Sequence, residues 1–310
     1  MKLSFTLPQL ITVVFIFSLL TIGSCSKEKS SGTDPQQQDV SFTSAESDSR
    51  GEMAFNEVFD NAMGVNNDVG MAGTGVFGRG ESTDDYNRLD SLPPCATITI
   101  THASTLAFFP VRITIDFGIA GCVRPADGHA RKGKIIIEYS NRLTIPGAGA
   151  TITFDNFYID DTKIEGTEKI TNTSSPNNIP LSRQFTVDVT NGKLSTADGN
   201  YVEWNSHKII TQTQGLSTPL YPRDDAFQIE GSANGRAQKG NLLVAWQSTI
   251  TSPLVKTFEC RWIVQGTVKV VRASTNLNTS WTGYLDYGNG NCDNKATVTI
   301  NGVTHQITLH

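Results

Sequence analysis

"ATVTINGVTHQITL", from Ala296 to Leu309, decides how the chain folds. Before Asn301-Gly302, the residues Ala296, Val298 and Ile300 alternate with Thr297 and Thr299. After it, Val303, His305 and Ile307 alternate with Thr304 and Gln306. Alternation of period two is the mark of a half-buried strand, and Asn-Gly suits the two positive-φ positions of a tight hairpin turn. Fourteen residues thus define two antiparallel strands.

Upstream the same pattern recurs in "KIIIEY", "TITFDNFYI", "TKIEGTEKIT", "RQFTVDVT", "NYVEWNS", "NLLVAWQS" and "RWIVQGTVKVV". Asp160-Asp161, "NGK" at Asn191 and "ADG" at Ala197 read as further hairpin turns. No helical segment separates these runs, which excludes parallel βαβ units. The fold class is mainly β, an antiparallel meander or sandwich of about a dozen strands with one N-terminal helix. "IEGT" at Ile164, "IEGS" at Ile229 and "VQGT" at Val264 recur at unequal spacing, so they are no solenoid repeat; a glycine flanked by strand residues marks a bulge or a close backbone contact.

The helix is expected over 44–63. Thr43 with Glu46 fits a capping box, and Phe55, Val58, Phe59 and Met63 follow at helical spacing, with Gly51 weakening the run. Its apolar stripe is expected to face the core. The following "GMAGTGVFGRGE" lacks both the strand-turn-helix setting and the lysine of a phosphate loop, and reads as a connector.

Four cysteines lie in the β region: Cys95, Cys122, Cys260 and Cys292. In an exported chain they read as two disulfides, with three connectivities open. Pairing Cys95 with Cys122 sets Ile98 opposite Ile119, Ile100 opposite Phe117 and Thr101 opposite Asp116, apolar on apolar and polar on polar. Pairing Cys260 with Cys292 centres a hairpin near Asn276. Trp281, Leu285 and Tyr287 then fall on the wrong parity unless a residue is inserted, and "YGNGNC" offers glycines for such a bulge.

At the N-terminus a basic Lys2 precedes an apolar run from Leu10 to Leu20, then small residues, as in an export signal. Ile22-Gly23-Ser24-Cys25 resembles the bacterial lipobox, which implies cleavage before Cys25 and its lipidation. Ser26 then implies delivery to the outer membrane. Lys27-Glu28-Lys29 resembles the charged export tag of Bacteroidota surface lipoproteins, and "SKEKSSGTDPQQQD" equally fits a solvated linker. "RKGKIIIEY", "ATITFDNFYID", "KIEGTEKITN" and "YGNGNCDNKATVTINGVTHQITL" resemble Bacteroidota-type outer-membrane lipoproteins over most of 93–310. That resemblance implies an address and a β architecture, and no activity. The expected organisation is a signal peptide over 1–24, a lipid-anchored linker over 25–41, a helix and Gly-rich connector over 42–92, and an antiparallel β domain over 93–310. Which side of the outer membrane the domain faces is left open.

Net charge is −5, with acids and bases interspersed. No basic stripe appears, so nucleic acid is not an expected partner. His102, His129, His207, His305 and His310 stand at no ligand spacing, no GxSxG elbow occurs, and neither a metal nor a cofactor is expected. Asp155, Asp160, Asp161, Glu165 and Glu168 form the densest carboxylate stretch and read as a solvated sheet face. "DYGNGNCDN" lacks the closing Glu of a calcium loop and reads as a turn beside a disulfide. Tyr201, Trp204 and Trp246 are the candidate ligand platform, because strand-borne aromatics stack on sugar rings. Asp90-Ser91-Leu92 matches a short O-glycosylation motif, with Ser91 the acceptor.

These features point to a non-catalytic envelope lipoprotein that binds or scaffolds a glycan or an envelope protein, held to the membrane through its N-terminal lipid. Two readings compete with it. One is a periplasmic carrier of lipid or another amphiphile, which needs an open concave apolar face. The other is a glycan hydrolase whose carboxylates meet only in three dimensions.

Overall fold

A computed structural model describes residues 35–64, 92–93, 95–124, 127–175, 177, 182–218, 224–273 and 281–309. The export signal, Cys25, the Gly-rich connector, Ser91 and His310 lie outside the described residues. One helix, α1 (Pro35–Gly64), precedes fourteen strands. They are β1 (Thr97–His102), β2 (Val111–Asp116), β3 (Cys122–Val123), β4 (Ala130–Tyr139), β5 (Gly149–Ile159), β6 (Thr162–Asn172) and β7 (Gln184–Ser195). There follow β8 (Tyr201–Gln214), β9 (Ala226–Lys239), β10 (Leu242–Thr257), β11 (Gln265–Arg272), β12 (Thr282–Asn289), β13 (Lys295–Ile300) and β14 (Val303–Thr308).

All fourteen strands belong to one antiparallel meander. Each pairs with the next in sequence, except that β2 and β3 both lie against β4, one after the other along its length. Among the described residues β1 and β14 remain unpaired with each other, so the sheet is open. The Asn301-Gly302 turn joins β13 to β14 with both residues at positive φ, and Asp160-Asp161 joins β5 to β6.

Bulges make this sheet curl. Ladder registers shift at Gly133 in β4, Gly166 in β6, Asn191-Gly192 in β7 and Gly266 in β11. Of the recurring strand glycines, Gly166 and Gly266 are therefore bulges, whereas Gly231 stays paired with Lys208 and allows a close backbone approach to His207. At Gly166 the backbone sits at φ +118°, and a Cβ would lie 2.7 Å from the carbonyl oxygen of Asn191, so glycine is required there. "NGK" at Asn191 is a correction to the sequence reading: it bulges within β7, and the hairpin turn comes later, at Thr196–Asn200. An extra residue bends a strand and increases its twist. Bulges spread over several strands wrap the sheet around α1, which packs against every strand from β5 to β13.

The helix begins at Pro35, nine residues before the expected start, so part of the predicted linker is helical. Thr43, the expected cap, is a buried position inside it. The helix runs through Gly51, which allows its close approach to the sheet. A Cβ at Gly51 would lie 2.7 Å from Cγ of Trp204. Phe55 stacks on the same indole with centroids 5.6 Å apart. Because the sheet surrounds α1, its polar side is buried as well as its apolar one, and Asp48, Glu52, Asn56, Glu57 and Asn61 are all inside.

Both disulfides form with the expected partners, Cys95 with Cys122 and Cys260 with Cys292. The register of the first hairpin differs from expectation. Ile98 faces Ile115, Ile100 faces Ile113 and Thr97 faces Asp116. Apolar still meets apolar, but the ladder slides by four residues because β2 ends at Asp116 and turns through Gly118 and Gly121 before Cys122 returns along β4. The predicted insertion in the second hairpin is present. Val268 faces Leu285, then Gln265 faces Asn289 across an extra residue at Tyr287-Gly288.

The outward face of the sheet is polar and charged, with cross-strand pairs such as Arg236–Glu203 at 2.5 Å and His207–Asp188 at 2.6 Å. Strands that span a bilayer carry an outward apolar band instead.

Candidate functional site

The interior is built from acids on α1 and donors on the strands. Trp204 Nε1, Trp246 Nε1 and Ser248 Oγ all donate to Asp48 Oδ1, each at 2.9 Å. Burial pushes the Asp48 carboxyl up, while Lys208 and the two indoles hold it back. Lys208 Nζ lies 2.7 Å from Glu52, and Lys256 Nζ lies 2.7 Å from Asp60. Lys208 shares inward parity with Val202, Trp204 and Ile210, so alternation alone places a cation among core residues. Removing one member of such a buried pair typically costs about 3–5 kcal/mol.

These contacts overturn the aromatic platform. Trp204 and Trp246 are 1% and 0% exposed beneath α1, where no sugar ring can reach them. Tyr201 stands three residues from Trp204 and so points to the opposite face, where Lys193 Nζ lies 5.5 Å from its ring centre. The solvated carboxylate face needs a correction too. Glu168 is 0% exposed, and burial, with Asp60 and Glu52 nearby, raises its carboxyl well above the usual range. Burial thus favours the neutral form of this acid.

A second group of charges leaves an opening. Residues from α1, the approach to β4, the β5–β6 turn, β7 and the β10–β11 loop surround a cavity of about 90 Å³. One stripe of α1 forms its floor, with Arg50, Met53, Ala54 and Glu57 at i, i+3, i+4 and i+7. Ile159, Ile164 and Leu194 supply an aliphatic wall, and His129, Asp160, Thr162 and Arg261 complete the lining.

Glu57 is the centre of this arrangement. Its Oε1 accepts from Arg131 Nε at 2.5 Å. Its Oε2 is buried without a hydrogen-bond partner, although Arg261 Nη2 stands 3.4 Å away. Burial alone would raise this carboxyl, but Arg131, Arg124 and Arg261 together hold it down at about 2. Asp127 ties the same three arginines together. It accepts from Arg131 at 2.7 Å, from Arg261 at 2.9 Å and from Arg124 Nε at 2.8 Å. His129 Nδ1 and Asp160 Oδ2 are 2.6 Å apart, and Ala130 N donates to Asp160 Oδ1 at 2.9 Å.

The network also has an architectural effect. Asp127 precedes β4 and Arg261 follows β10, so their bond joins parts of the sheet that are distant in strand order. Here the curl is held by ion pairs, not by a backbone ladder. Cys260–Cys292 fastens the loop that carries Arg261.

Four guanidinium groups, from Arg50, Arg124, Arg131 and Arg261, stand against three carboxylates, from Glu57, Asp127 and Asp160. Arg50 is half-buried and has no hydrogen bond or ion pair among the described residues. The sequence reading named His129 only as one of five scattered histidines and missed Arg50, Glu57 and Arg261. A long helix with a charged side, placed before a sheet able to enclose it, was the available signal. Among the described residues no cluster of His, Cys, Asp and Glu is arranged to hold a metal, and the Asp286–Asn294 stretch is the end of β12 with its disulfide loop.

In comparisons with known proteins, the chain matches no family, no curated protein and no solved structure.

Proposed function

We propose that the protein is a non-catalytic binding module of the bacterial envelope, anchored to the outer membrane through lipid on Cys25, and that its ligand is taken at the Glu57–Arg50 cavity. The observation that carries this reading is Arg50, a half-buried guanidinium without a described partner, lining one recess with the Glu57 carboxylate and an aliphatic wall. A few fixed polar groups in a pocket are the usual means of orienting a ligand.

The acids at the cavity favour binding over hydrolysis. A glycosidase keeps one carboxyl protonated near neutral pH. Glu57 is held at about 2 by its arginines, and Asp160 is lowered because His129 and the Ala130 amide outweigh its burial. The carrier reading requires an open concave apolar face, and α1 fills that face from β5 to β13.

The test is a thermal-shift screen of small acids, amino acids and acidic and neutral sugars against the full chain and a Leu194→Phe variant whose ring enters the cavity. Stabilisation by a ligand in the native protein and not in the variant supports the reading. Stabilisation unaffected by Leu194→Phe, or none at all, overturns it. Labelling of Cys25 with a palmitate analogue in cells, absent in Cys25→Ala, tests the anchor separately.

A further inference from the structure

The open sheet ends at β1, and we infer that this edge docks a second copy of the chain. Two β1 strands pair antiparallel about a two-fold axis at Thr99 and join two meanders into one sheet. The cavity plays no part in this contact.

The backbone supplies the means. Ala103 N donates to Pro110 O at 3.2 Å, so Ala103 holds a hydrogen-bonded place opposite the start of β2. Hydrogen-bonded and non-hydrogen-bonded positions alternate along an antiparallel pair. Thr101, Thr99 and Thr97 therefore bond to β2, while Ile98, Ile100 and His102 turn their N–H and C=O groups away from it. Among the described residues no strand pairs with β1 on that side. β1 also contains no lysine, proline or bulge, the usual devices that keep an edge from pairing.

The sequence of β1 selects the partner. "TITIT", from Thr97 to Thr101, reads the same in both directions. In an antiparallel pair centred on Thr99, Thr97 meets Thr101 across the axis, Ile98 meets Ile100 and Thr99 meets its own copy. Like side chains then lie on like, with no charge in "TITIT" to repel its copy. The outward-turned groups of Ile98 and Ile100 face each other on both sides of the axis and can bond there. Sliding the pair by one residue would set threonine on isoleucine, and outward-turned groups against groups already bonded to β2. Moving the axis to Ile100 would set Ile98 against His102.

Exposed apolar side chains flank this edge. Ile100, Leu106, Phe108, Ile119 and Val123 are half of the large apolar side chains exposed among the described residues, and all fall within 100–123. Leu106 and Phe108 lie just beyond the end of β1, and the Cys95–Cys122 bridge ties the segment carrying Ile119 and Val123 to its start. An axis at Thr99 sets the end of one β1 beside the start of the other. Leu106, 96% exposed, then comes level with the bridged segment that carries Ile119, 97% exposed. At the opposite edge of the sheet, β14 exposes one large apolar side chain, Val303. A two-fold contact uses each β1 edge once, so the assembly closes as a dimer.

The test is cross-linking of the full chain in cells through single cysteines. Thr99→Cys sets two thiols opposite each other at a non-hydrogen-bonded position, where Cα atoms about 4.5 Å apart are within reach of a disulfide. A reductant-sensitive dimer is expected from Thr99→Cys. Little is expected from Thr101→Cys, whose two copies stand about 13 Å apart along the pair. Light scattering of the purified full chain in detergent, over a concentration series, then measures the contact without a cross-link. Thr99→Lys sets like charges opposite each other at an exposed position and is expected to weaken dimerisation about fivefold, with the melting temperature unchanged. Val303→Lys, on β14, is expected to leave dimerisation as it is. No cross-link from Thr99→Cys, or as much from Thr101→Cys, overturns the inference. So does self-association that Val303→Lys abolishes and Thr99→Lys spares, or one that runs on beyond the dimer.

Discussion

Asp48 and Glu57 are both buried acids on α1, nine residues apart, and the protein treats them in opposite ways. Asp48 meets three neutral donors, all bonded to one oxygen, and indole rings close the space around it. Glu57, which lines the cavity, meets cationic donors, and one of its oxygens is left without a hydrogen bond. The first arrangement is complete and fixes the helix against β8 and β10. The second is incomplete and has room for a ligand. The state of its partners, more than its burial, separates a structural acid from a candidate binding one.

The sharpest way to break this comparison is Asp48→Ala. It leaves two indole N–H groups and a hydroxyl unpaired in the core and is expected to cost about 3–5 kcal/mol in urea unfolding. Asp48→Asn keeps an acceptor and is expected to retain most of that stability. A loss below about 1 kcal/mol for Asp48→Ala would show that the three donors find other partners. Next in size is the paired substitution Cys260→Ser with Cys292→Ser. Removing a cross-link between residues 32 positions apart is expected to cost about 3–4 kcal/mol. It should also weaken ligand binding, because the freed loop carries Arg261; full binding in the reduced protein would separate that loop from the site.

Titration sharpens the contrast by its sign. The Glu57 carboxyl is lowered from 4.5 to about 2, so its contribution is complete above about 4.5 and disappears as pH falls toward 2. Asp48 is raised by burial, and Asp60, also through burial, is raised from 3.8 to about 6; their neutral forms favour the fold, and the Asp60 contribution fades as pH rises through 4 to 6. Stability is therefore expected to peak near pH 4–5, and Asp48→Asn to flatten the upper limb while leaving the acid limb intact. Urea midpoints measured from pH 2 to 8 check this, and a steady rise from pH 4 to 7 would contradict it. The smallest expected effect on stability is that of Arg50→Gln, within about 0.5 kcal/mol. A larger loss would mean that Arg50 is a structural residue after all.

The strand pattern carried much of this fold in plain view. Alternation around Asn301-Gly302 gives a hairpin that the structure contains, alternation pairs Cys95 with Cys122 although in a register four residues off, and the turn near Asn276 pairs Cys260 with Cys292 and calls for the inserted residue at Tyr287-Gly288. These succeed because a strand's side chains alternate by geometry, whatever surrounds them. Parity also contained a warning about the aromatic platform, since Tyr201 and Trp204, three residues apart, cannot share a sheet face. The site was much less legible. Arg50 and Glu57 look like ordinary surface residues of an amphipathic helix, and Arg261 like a charge in a loop.

By itself the sequence determined the β class, the antiparallel pairing, the bulge glycines and the cross-links, all of them consequences of local backbone chemistry. Only the tertiary structure decided that the sheet curls far enough to surround α1. That enclosure buries the helix's polar side, forces Asp48, Glu52 and Asp60 to find donors on distant strands, and leaves one oxygen of Glu57 without a hydrogen bond. Curvature is the sum of small bends over many strands, and no single stretch of sequence records that sum.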